Sequence, residues 1–281
     1  MITSTTRVVA IFGYPVTHSL SPLMQNAAFA HLGLDYCYVA CTVKPELLGD
    51  AVKAVRALGM RGANVTVPHK EGVIRMLDEV TGEALEIGAV NTIVNEDGRL
   101  VGHNTDGRGF REALIEDVVD VDGKRVLMIG AGGAARAVGH YLSHVAPTLF
   151  IYNRTLSAAD MLAGMLAGQG AHVEVVNEGR MGNRDFVAGI DIIVNTTTLG
   201  LRDDDPLPVD PSFLGRGQVV CDLIYRETPL LRAASRRGCK TLDGSGMLLW
   251  QGALAFELWT GVKAPVAEMR RALTAGRKSM K

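Results

Sequence analysis

The sequence predicts an α/β protein with two α/β units, the second of them a doubly wound, mostly parallel sheet. Two observations carry this. Strand-like runs at residues 125–129, 148–152, 172–176, 191–195 and 219–223, with 240–242 as a sixth, alternate with helical segments. The first of these runs, Val126-Leu-Met-Ile129, feeds directly into Gly130-Ala-Gly-Gly-Ala-Ala135 and an alanine-rich helical stretch. That is a G-x-G-x-x-A fingerprint in the strand–turn–helix context it requires. Gly130 permits the tight turn, Gly132 lets backbone approach a pyrophosphate, and Ala135 is small enough for close helix–strand packing. The helix N-terminus then faces the phosphates, so the pattern points to a bound dinucleotide.

Ahead of this unit, residues 7–12 read as a buried strand ending in Gly13-Tyr-Pro15. Ser21 and Pro22 read as an N-cap and first-turn pair, opening a helix that ends near Leu32-Gly33. Residues 35–43, rich in β-branched and aromatic side chains, read as a second strand. Pro45 opens a helix with Leu47, Leu48, Val52, Val55 and Leu58 along one side, closed by Gly59. Residues 63–67 read as a strand stopped by Pro68, and residues 70–77 as a helix. Segments 91–94 and 99–101 flank Asn95-Glu-Asp-Gly98 as a hairpin. Asn104-Thr-Asp106 supplies cap residues for a helix running towards Glu116, with a domain boundary at 102–106. After Gly246 the pattern is helical again, at 247–260 and 267–275. Arg202-Asp-Asp-Asp-Pro-Leu-Pro208 reads as a solvated loop.

Composition narrows the function classes. At 281 residues, 47% hydrophobic and 21% charged, the chain can bury a sizeable core. Lys plus Arg number 29 against 30 Asp plus Glu, a net charge of −1 without a basic run, which argues against a nucleic-acid surface. No apolar run approaches the length of a membrane span. The start carries one basic residue and too short an apolar stretch for a signal peptide, so a cytoplasmic location is expected. Cysteines at 37, 41, 221 and 239 form no C-x-x-C pair, and no histidine cluster completes a zinc spacing. They read as reduced small hydrophobes, and no metal is expected.

Polar clusters sit where strands end, which is where an open α/β sheet places its ligands. Ser19 and Ser21, in His18-Ser-Leu-Ser-Pro22, offer hydroxyls beside a helix N-terminus, a setting for a carboxylate; Ser21 reads equally as a cap and Ser19 as solvated. In Asn64-Val-Thr-Val-Pro-His-Lys70, Asn64 and Thr66 share a strand face and Lys70 follows the ladder's end. Lys70 reads as a proton donor or as a surface charge. Asp106, in the Asn104-Thr-Asp106 run, reads as a cap or as a carboxylate aimed at a ligand. Asn91-Thr92 forms another cluster. Gln251 stands in an otherwise apolar helix, where an amide needs a partner.

Together these residues closely resemble the shikimate dehydrogenase family. The motifs are His18-Ser-Leu-Ser-Pro22, Asn64-Val-Thr-Val-Pro-His-Lys70, Gly88-Ala-Val-Asn-Thr92, Gly102-His-Asn-Thr-Asp-Gly107, Gly130-Ala-Gly-Gly-Ala-Ala-Arg136, Asn153-Arg-Thr155, Asp222-Leu-Ile-Tyr225 and Gly246-Met-Leu-Leu-Trp-Gln251. They occur in family order over nearly the full length. The glycine motif is widely shared, whereas Asn-Val-Thr-Val-Pro-His-Lys with Asn-Thr-Asp-Gly is highly specific. The resemblance implies a substrate-binding catalytic domain from residues 1–104, completed by C-terminal helices at 244–281, with an NADP-binding Rossmann domain at 105–243. It implies reversible NADPH-dependent reduction of 3-dehydroshikimate to shikimate. Its partners would be that small-molecule substrate, no nucleic acid and no membrane, with a homodimer as one assembly open to it. Carried over by position, Ser19 and Ser21 would bind the substrate carboxylate with Thr66 nearby. Asn91, Asp106 and Gln251 would bond the ring hydroxyls, Tyr225 would join the substrate residues, and Lys70 with Asp106 would form the catalytic pair. Gly130, Ala131, Gly132, Gly133, Ala134, Asn153, Arg154, Thr155, Thr196 and Gly246 would bind the cofactor.

Cofactor choice turns on the residue about 20 positions beyond the glycines, where an NAD enzyme carries Asp or Glu for the ribose 2′-hydroxyl. Here Asn153 and Arg154 stand there, which suits a 2′-phosphate. One departure is Ala158, where NADP-dependent relatives often carry a second arginine, so discrimination against NAD is expected to be weaker. Two alternatives remain: a quinate/shikimate dehydrogenase using NAD, and a non-catalytic ligand sensor on the same fold. An intact Lys70 and Asp106 argue against the sensor.

Overall fold

The computed structural model describes residues 2–279. Met1, Met280 and Lys281, at the ends of the outer segments read from the sequence, lie outside the described residues. The chain divides into two compact units: residues up to Gly109 with those from Leu248 onward, and Phe110–Met247. Both cuts fall inside helices, later than the 104/105 and 243/244 boundaries expected. In the helix Asp106–Glu116, Gly109 lies so close to Gln251 that a Cβ would meet its backbone nitrogen at 2.6 Å, whereas Phe110 and Leu114 join the core of the other unit.

The first unit begins with β1 (Arg7–Gly13), α1 (Ser21–His31), β2 (Tyr36–Thr42), α2 (Leu48–Ala57) and β3 (Gly62–Val65). It continues with β4 (Glu79–Val80), α3 (Gly82–Ile87), β5 (Thr92–Glu96), β6 (Arg99–His103) and the start of α4 (Asp106–Glu116). Its sheet has the order β2-β1-β3-β5-β6-β4. The β1–β2, β1–β3 and β4–β6 pairs are parallel, and β3–β5 and β5–β6 antiparallel. The β5–β6 hairpin turns on Asp97 (φ 51°) and Gly98 (φ 98°), both left-handed as a two-residue type I′ turn requires.

Three local expectations fail here. Ser21 does not cap α1; it occupies the first helical position, Leu20 is the cap residue, and no side chain caps this end. No helix spans 70–77. The Lys70 carbonyl accepts from Val90 N (2.8 Å) instead of feeding an i+4 ladder, and only a 3-10 turn forms at Ile74–Met76. The strand read at 63–67 ends at Val65. Beyond it Thr66 N bonds Phe12 O and Tyr14 N bonds Val67 O, so the chain leaves the ladder before Pro68. The short β4 and α3 had no legible periodicity.

The second unit holds β7 (Arg125–Ile129), α5 (Gly133–Val145), β8 (Thr148–Tyr152), α6 (Leu156–Leu166), β9 (His172–Val176), α7 (Glu178–Met181) and α8 (Arg184–Ala188). There follow β10 (Ile192–Asn195), β11 (Val219–Asp222), α9 (Pro229–Arg236), β12 (Lys240–Leu242) and the first turn of α10 (Ser245–Thr260). All six strands are parallel, in the order β12-β11-β10-β7-β8-β9, the doubly wound arrangement. Such a sheet is covered on both faces, which is why its strands read as continuous apolar runs. Leu127, Ile129 and Ile193 face one cluster; Val126, Met128 and Val194 face the other.

The rest of α10 and α11 (Val266–Ser279) belong to the first unit. Phe256 and Trp259 are fully buried, and Trp259 Nε1 donates to Ile93 O of β5 at 2.9 Å. Gly62 of β3 admits that indole. A Cβ there would lie 2.2 Å from Ile93 O and 2.5 Å from Trp259 Nε1. Gly62→Ala should therefore lower stability by about 1–3 kcal/mol, the usual cost of overpacking, read as a shifted urea midpoint. An unchanged midpoint would show that the β3–α10 approach tolerates a methyl group.

Candidate active site

The loop after β3, the β5 start and the α4 start bring Lys70, Asn91 and Asp106 together. Lys70 Nζ donates to Asp106 Oδ2 at 2.6 Å, with the two side chains only 14% and 6% exposed. An ion pair this enclosed needs its remaining lone pairs satisfied. Asn91 Nδ2 donates to Asp106 Oδ1 (2.9 Å) and to Thr105 Oγ1 (2.9 Å), and Thr105 N–H donates to Asn91 Oδ1 (2.8 Å). That last bond settles the orientation of the Asn91 amide, because a backbone N–H faces only its oxygen. Asn104 Oδ1 accepts from the N–H of Asp106 (2.9 Å), the first residue of α4, while the Asp106 carboxylate is bonded to Lys70 and Asn91.

The pair is one end of a longer polar chain. Thr92 Oγ1 donates to Asn91 Oδ1 (2.9 Å), Asn64 Nδ2 donates to Thr92 Oγ1 (3.0 Å), and Tyr38 OH donates to Asn64 Oδ1 (2.6 Å). All four side chains are buried. Burial pushes the Tyr38 phenol well above its ordinary value, so it stays a neutral donor. Thr92 and Thr105 stand in polar clusters read from the sequence without a site role of their own, and Tyr38 stands outside them because an aromatic residue in a β-branched strand reads as core. Gln251 lies on α10 with Nε2 on Leu248 O (2.7 Å), and its carbonyl accepts from Thr105 Oγ1 (3.1 Å).

Ser19 is half-buried and Ser21 buried, with Ser21 N–H donating to Ser19 Oγ at 3.3 Å. Because Ser21 does not cap, its hydroxyl is left for other partners. Thr66 is half-buried just past β3. The first unit thus groups hydroxyls, amides and one ammonium–carboxylate pair, donors suited to a small acid bearing hydroxyls.

The second unit carries the glycine loop. Gly130 has φ 115°, and a Cβ there would meet Thr196 Oγ1 at 2.3 Å, so only glycine fits. Thr196 is itself fixed, donating to Ile129 O at 2.8 Å. Gly132 precedes the 13-residue α5 with no side-chain cap and open space where a Cβ would point. Gly133 and Ala134 form the first turn, Ala131 leads into it, and Ala135 is fully buried against the sheet. Uncapped first-turn N–H groups beside an accessible glycine fit a pyrophosphate. At the end of β8, Asn153 Nδ2 donates to Thr155 O (2.8 Å) and orders the turn, and Arg154 is exposed. Gly246 has a packing reason of its own, since a Cβ would lie 3.0 Å from that of Ala113 on α4.

Tyr225 lies in the segment after β11, its phenol pushed up by burial. That segment is moored by Asp222, only 1% exposed, whose carboxylate accepts from Ile224 N (3.1 Å) and Thr228 Oγ1 (2.8 Å). Burial raises the Asp222 carboxyl above the ordinary carboxylate range, and these bonds oppose the shift. The four cysteines are free, Cys221 and Cys239 buried and Cys37 and Cys41 half-buried. Among the described residues no group of His, Cys, Asp or Glu is placed to hold a metal ion, and no helix is long and apolar enough to cross a membrane.

Comparison with known proteins matches three stretches of this chain. Residues 11–93 match the shikimate dehydrogenase substrate binding domain, 113–199 the shikimate / quinate 5-dehydrogenase family, and 244–274 the shikimate 5′-dehydrogenase C-terminal domain. A shikimate dehydrogenase (NADP(+)) of Moorella thermoacetica is 51% identical over 279 residues, covering 97% of this chain and 94% of that one. The crystal structure of shikimate dehydrogenase from Aquifex aeolicus superposes with a TM-score of 0.91 at 41% identity, covering 97% and 99% of the two chains. Shikimate 5-dehydrogenase from Thermus thermophilus, crystallised with NADP(H) and shikimate, gives 0.87 at 38% identity over 96% and 100%. The three matched stretches and relatives that align over nearly the whole chain converge: the chain belongs to the shikimate dehydrogenase family.

Proposed function

We propose that this protein catalyses the reversible NADPH-dependent reduction of 3-dehydroshikimate to shikimate. The observation that carries the proposal is the enclosed Lys70–Asp106 pair, bonded on through Asn91. A receptor that only binds ligand has no need of a buried ammonium paired to a carboxylate, whereas reduction of a ketone generates an alkoxide that must be stabilised and protonated. NADPH, when bound, supplies the hydride. Lys70 Nζ–H donates a proton to the substrate oxygen as negative charge develops there, and in the oxidation direction the neutral amine accepts it back. Asp106 holds the ammonium in place through Oδ2, and its Oδ1 is held in turn by Asn91. Ser19 and Ser21 bind the substrate carboxylate, with Thr66 beside them, and Asn91, Asp106 and Gln251 bond its hydroxyls. Tyr225 completes the proposed substrate set.

The residues proposed to hold the cofactor are Gly130 to Ala134, Asn153, Arg154, Thr155, Thr196 and Gly246. The open glycine turn at Gly132 and the Thr196-backed turn at Gly130 suit the pyrophosphate. Asn153 and Arg154 suit a ribose 2′-phosphate, and Ala158 leaves that charge to one arginine. A substrate-binding domain at 1–104 with 244–281, an NADP-binding domain at 105–243, a cytoplasmic location and a homodimeric assembly are further parts of this reading.

The direct test follows nicotinamide absorbance with shikimate or quinate, each with NADP or NAD. Turnover with shikimate and NADP is expected. Activity confined to quinate and NAD, or none from folded protein, overturns the reading. Lys70→Ala should reduce turnover by about two to four orders of magnitude, the usual contribution of a positioned acid/base, and near-normal turnover would remove Lys70 from the mechanism. Arg154→Ala should raise the KM for NADP by about tenfold to a hundredfold and leave that for NAD unchanged, as expected for loss of a charged hydrogen bond to phosphate. Equal changes for both cofactors would take Arg154 out of the discrimination.

A further inference from the structure

Gln25 lies on α1, outside every residue assigned to the site, and is fully buried at 0% exposure. Its Nε2 donates to Gly252 O of α10 at 2.8 Å. The two helices approach closely at that point. A Cβ on Gly252 would lie 2.2 Å from Met24 Cε and 3.3 Å from Gln25 Nε2. The same turn of α10 is held by a second element, since Thr105 Oγ1 donates to Gln251 O at 3.1 Å and Gly109 of α4 lies against the Gln251 backbone. Two successive carbonyls of α10 thus each take a side-chain donor from elsewhere in the unit. The residue whose place they fix is Gln251. Its own Nε2 bonds Leu248 O at 2.7 Å, which leaves one amide proton and Oε1 for a ligand.

α10 does not need these donors to satisfy its backbone. The helix runs on to Thr260, so both carbonyls also accept from N–H groups four residues further along. The Gln25 amide, for its part, is poorly served by its surroundings. A carbonyl only accepts, so Nε2 faces Gly252 and Oε1 points elsewhere. That oxygen is enclosed, and no described residue donates to it. A buried acceptor without a protein donor opposes folding. Methionine has a similar length, no such atom and a side chain that adapts to interior gaps. Folding alone therefore favours methionine at position 25, and the amide answers a different demand. The demand it meets is the tie to α10 beside Gln251.

We propose that Gln25 is a positioning residue for substrate binding, acting through the Gly252 carbonyl to hold Gln251 where it meets a substrate hydroxyl. The proposal rests on the shikimate dehydrogenase reading and deepens it, adding a residue that touches neither substrate nor cofactor.

Gln25→Met keeps the length of the side chain and removes both polar atoms. It should raise the KM for shikimate about threefold to tenfold, the effect of about one hydrogen bond, while kcat and the KM for NADP stay near their original values. The urea midpoint should be unchanged or higher. A residue that serves only the packing of α1 on α10 gives the reverse pattern, a lowered midpoint with an unchanged KM. A lowered midpoint, a chain that does not fold, or an unchanged KM for shikimate each overturns the proposal.

The route through Gln251 is read from a double variant. In a Gln251→Ala background, Gln25→Met should raise the KM for shikimate by about twofold or less, because the group it positions is gone. The same penalty in both backgrounds overturns the proposal. Gln251→Ala alone separates the two levels of the argument. If it leaves the KM for shikimate unchanged, the assignment of Gln251 to the substrate fails and the role of Gln25 fails with it. If Gln251→Ala raises the KM and Gln25→Met does not, only the inference about Gln25 fails.

Discussion

The enclosed Lys70–Asp106 ion pair is the constraint on which the architecture of the first unit turns. Two opposite charges held out of water gain little from each other unless every remaining lone pair and proton is satisfied. The loop after β3 and the start of α4 supply the pair, the start of β5 adds the Asn91 bond to Asp106, and Thr105 beside it donates on to the α10 backbone at Gln251. The irregular path at Lys70 follows from it. By giving its carbonyl to Val90, Lys70 abandons helical geometry and turns its side chain over to Asp106. What looks like a failed helix is a segment whose backbone is bonded to a neighbouring strand connection.

The amides around the pair act as orienting parts. Asn91 presents its oxygen to a backbone N–H and its nitrogen to Asp106, so the carboxylate is fed a proton donor on one oxygen and the ammonium on the other. Asn104 accepts from the Asp106 N–H where α4 begins. A buried polar network of this kind is costly when half satisfied and rigid when complete. Here its members bond one another from Tyr38 to Lys70. The second unit works on a different principle. Its loop offers backbone, and Gly130 and Gly132 matter for the side chains they lack: a Cβ at Gly130 would meet Thr196, and beside Gly132 the space is open.

Much of this was legible in the sequence, unevenly and for physical reasons. The six strands of the second unit were readable because a parallel sheet buried on both faces leaves an unbroken apolar run for each strand. The β5–β6 hairpin was readable because Asp97-Gly98 is turn chemistry of a specific type. The first unit was harder. Its sheet mixes parallel and antiparallel pairs, β4 is two residues long, and Ser21 satisfies the rules for a cap without serving as one. Local rules treat a serine before a proline as a helix start, and only the neighbouring Leu20 geometry shows that the helix begins one residue earlier in register.

The sequence by itself determined the periodicities, the glycine turn, the arginine at the end of β8 and the motifs that mark the family, because each is written in adjacent residues. It also offered Lys70, Asn91, Asp106 and Gln251 as separate candidates. Only the tertiary structure shows how they are joined, since a hydrogen bond between residues 36 or 146 positions apart has no local signature. The same holds for Tyr38. Its ring reads as strand core from either neighbour in the chain, and its hydroxyl acquires a partner only when β3 lies two strands away in the sheet and Asn64 turns towards it.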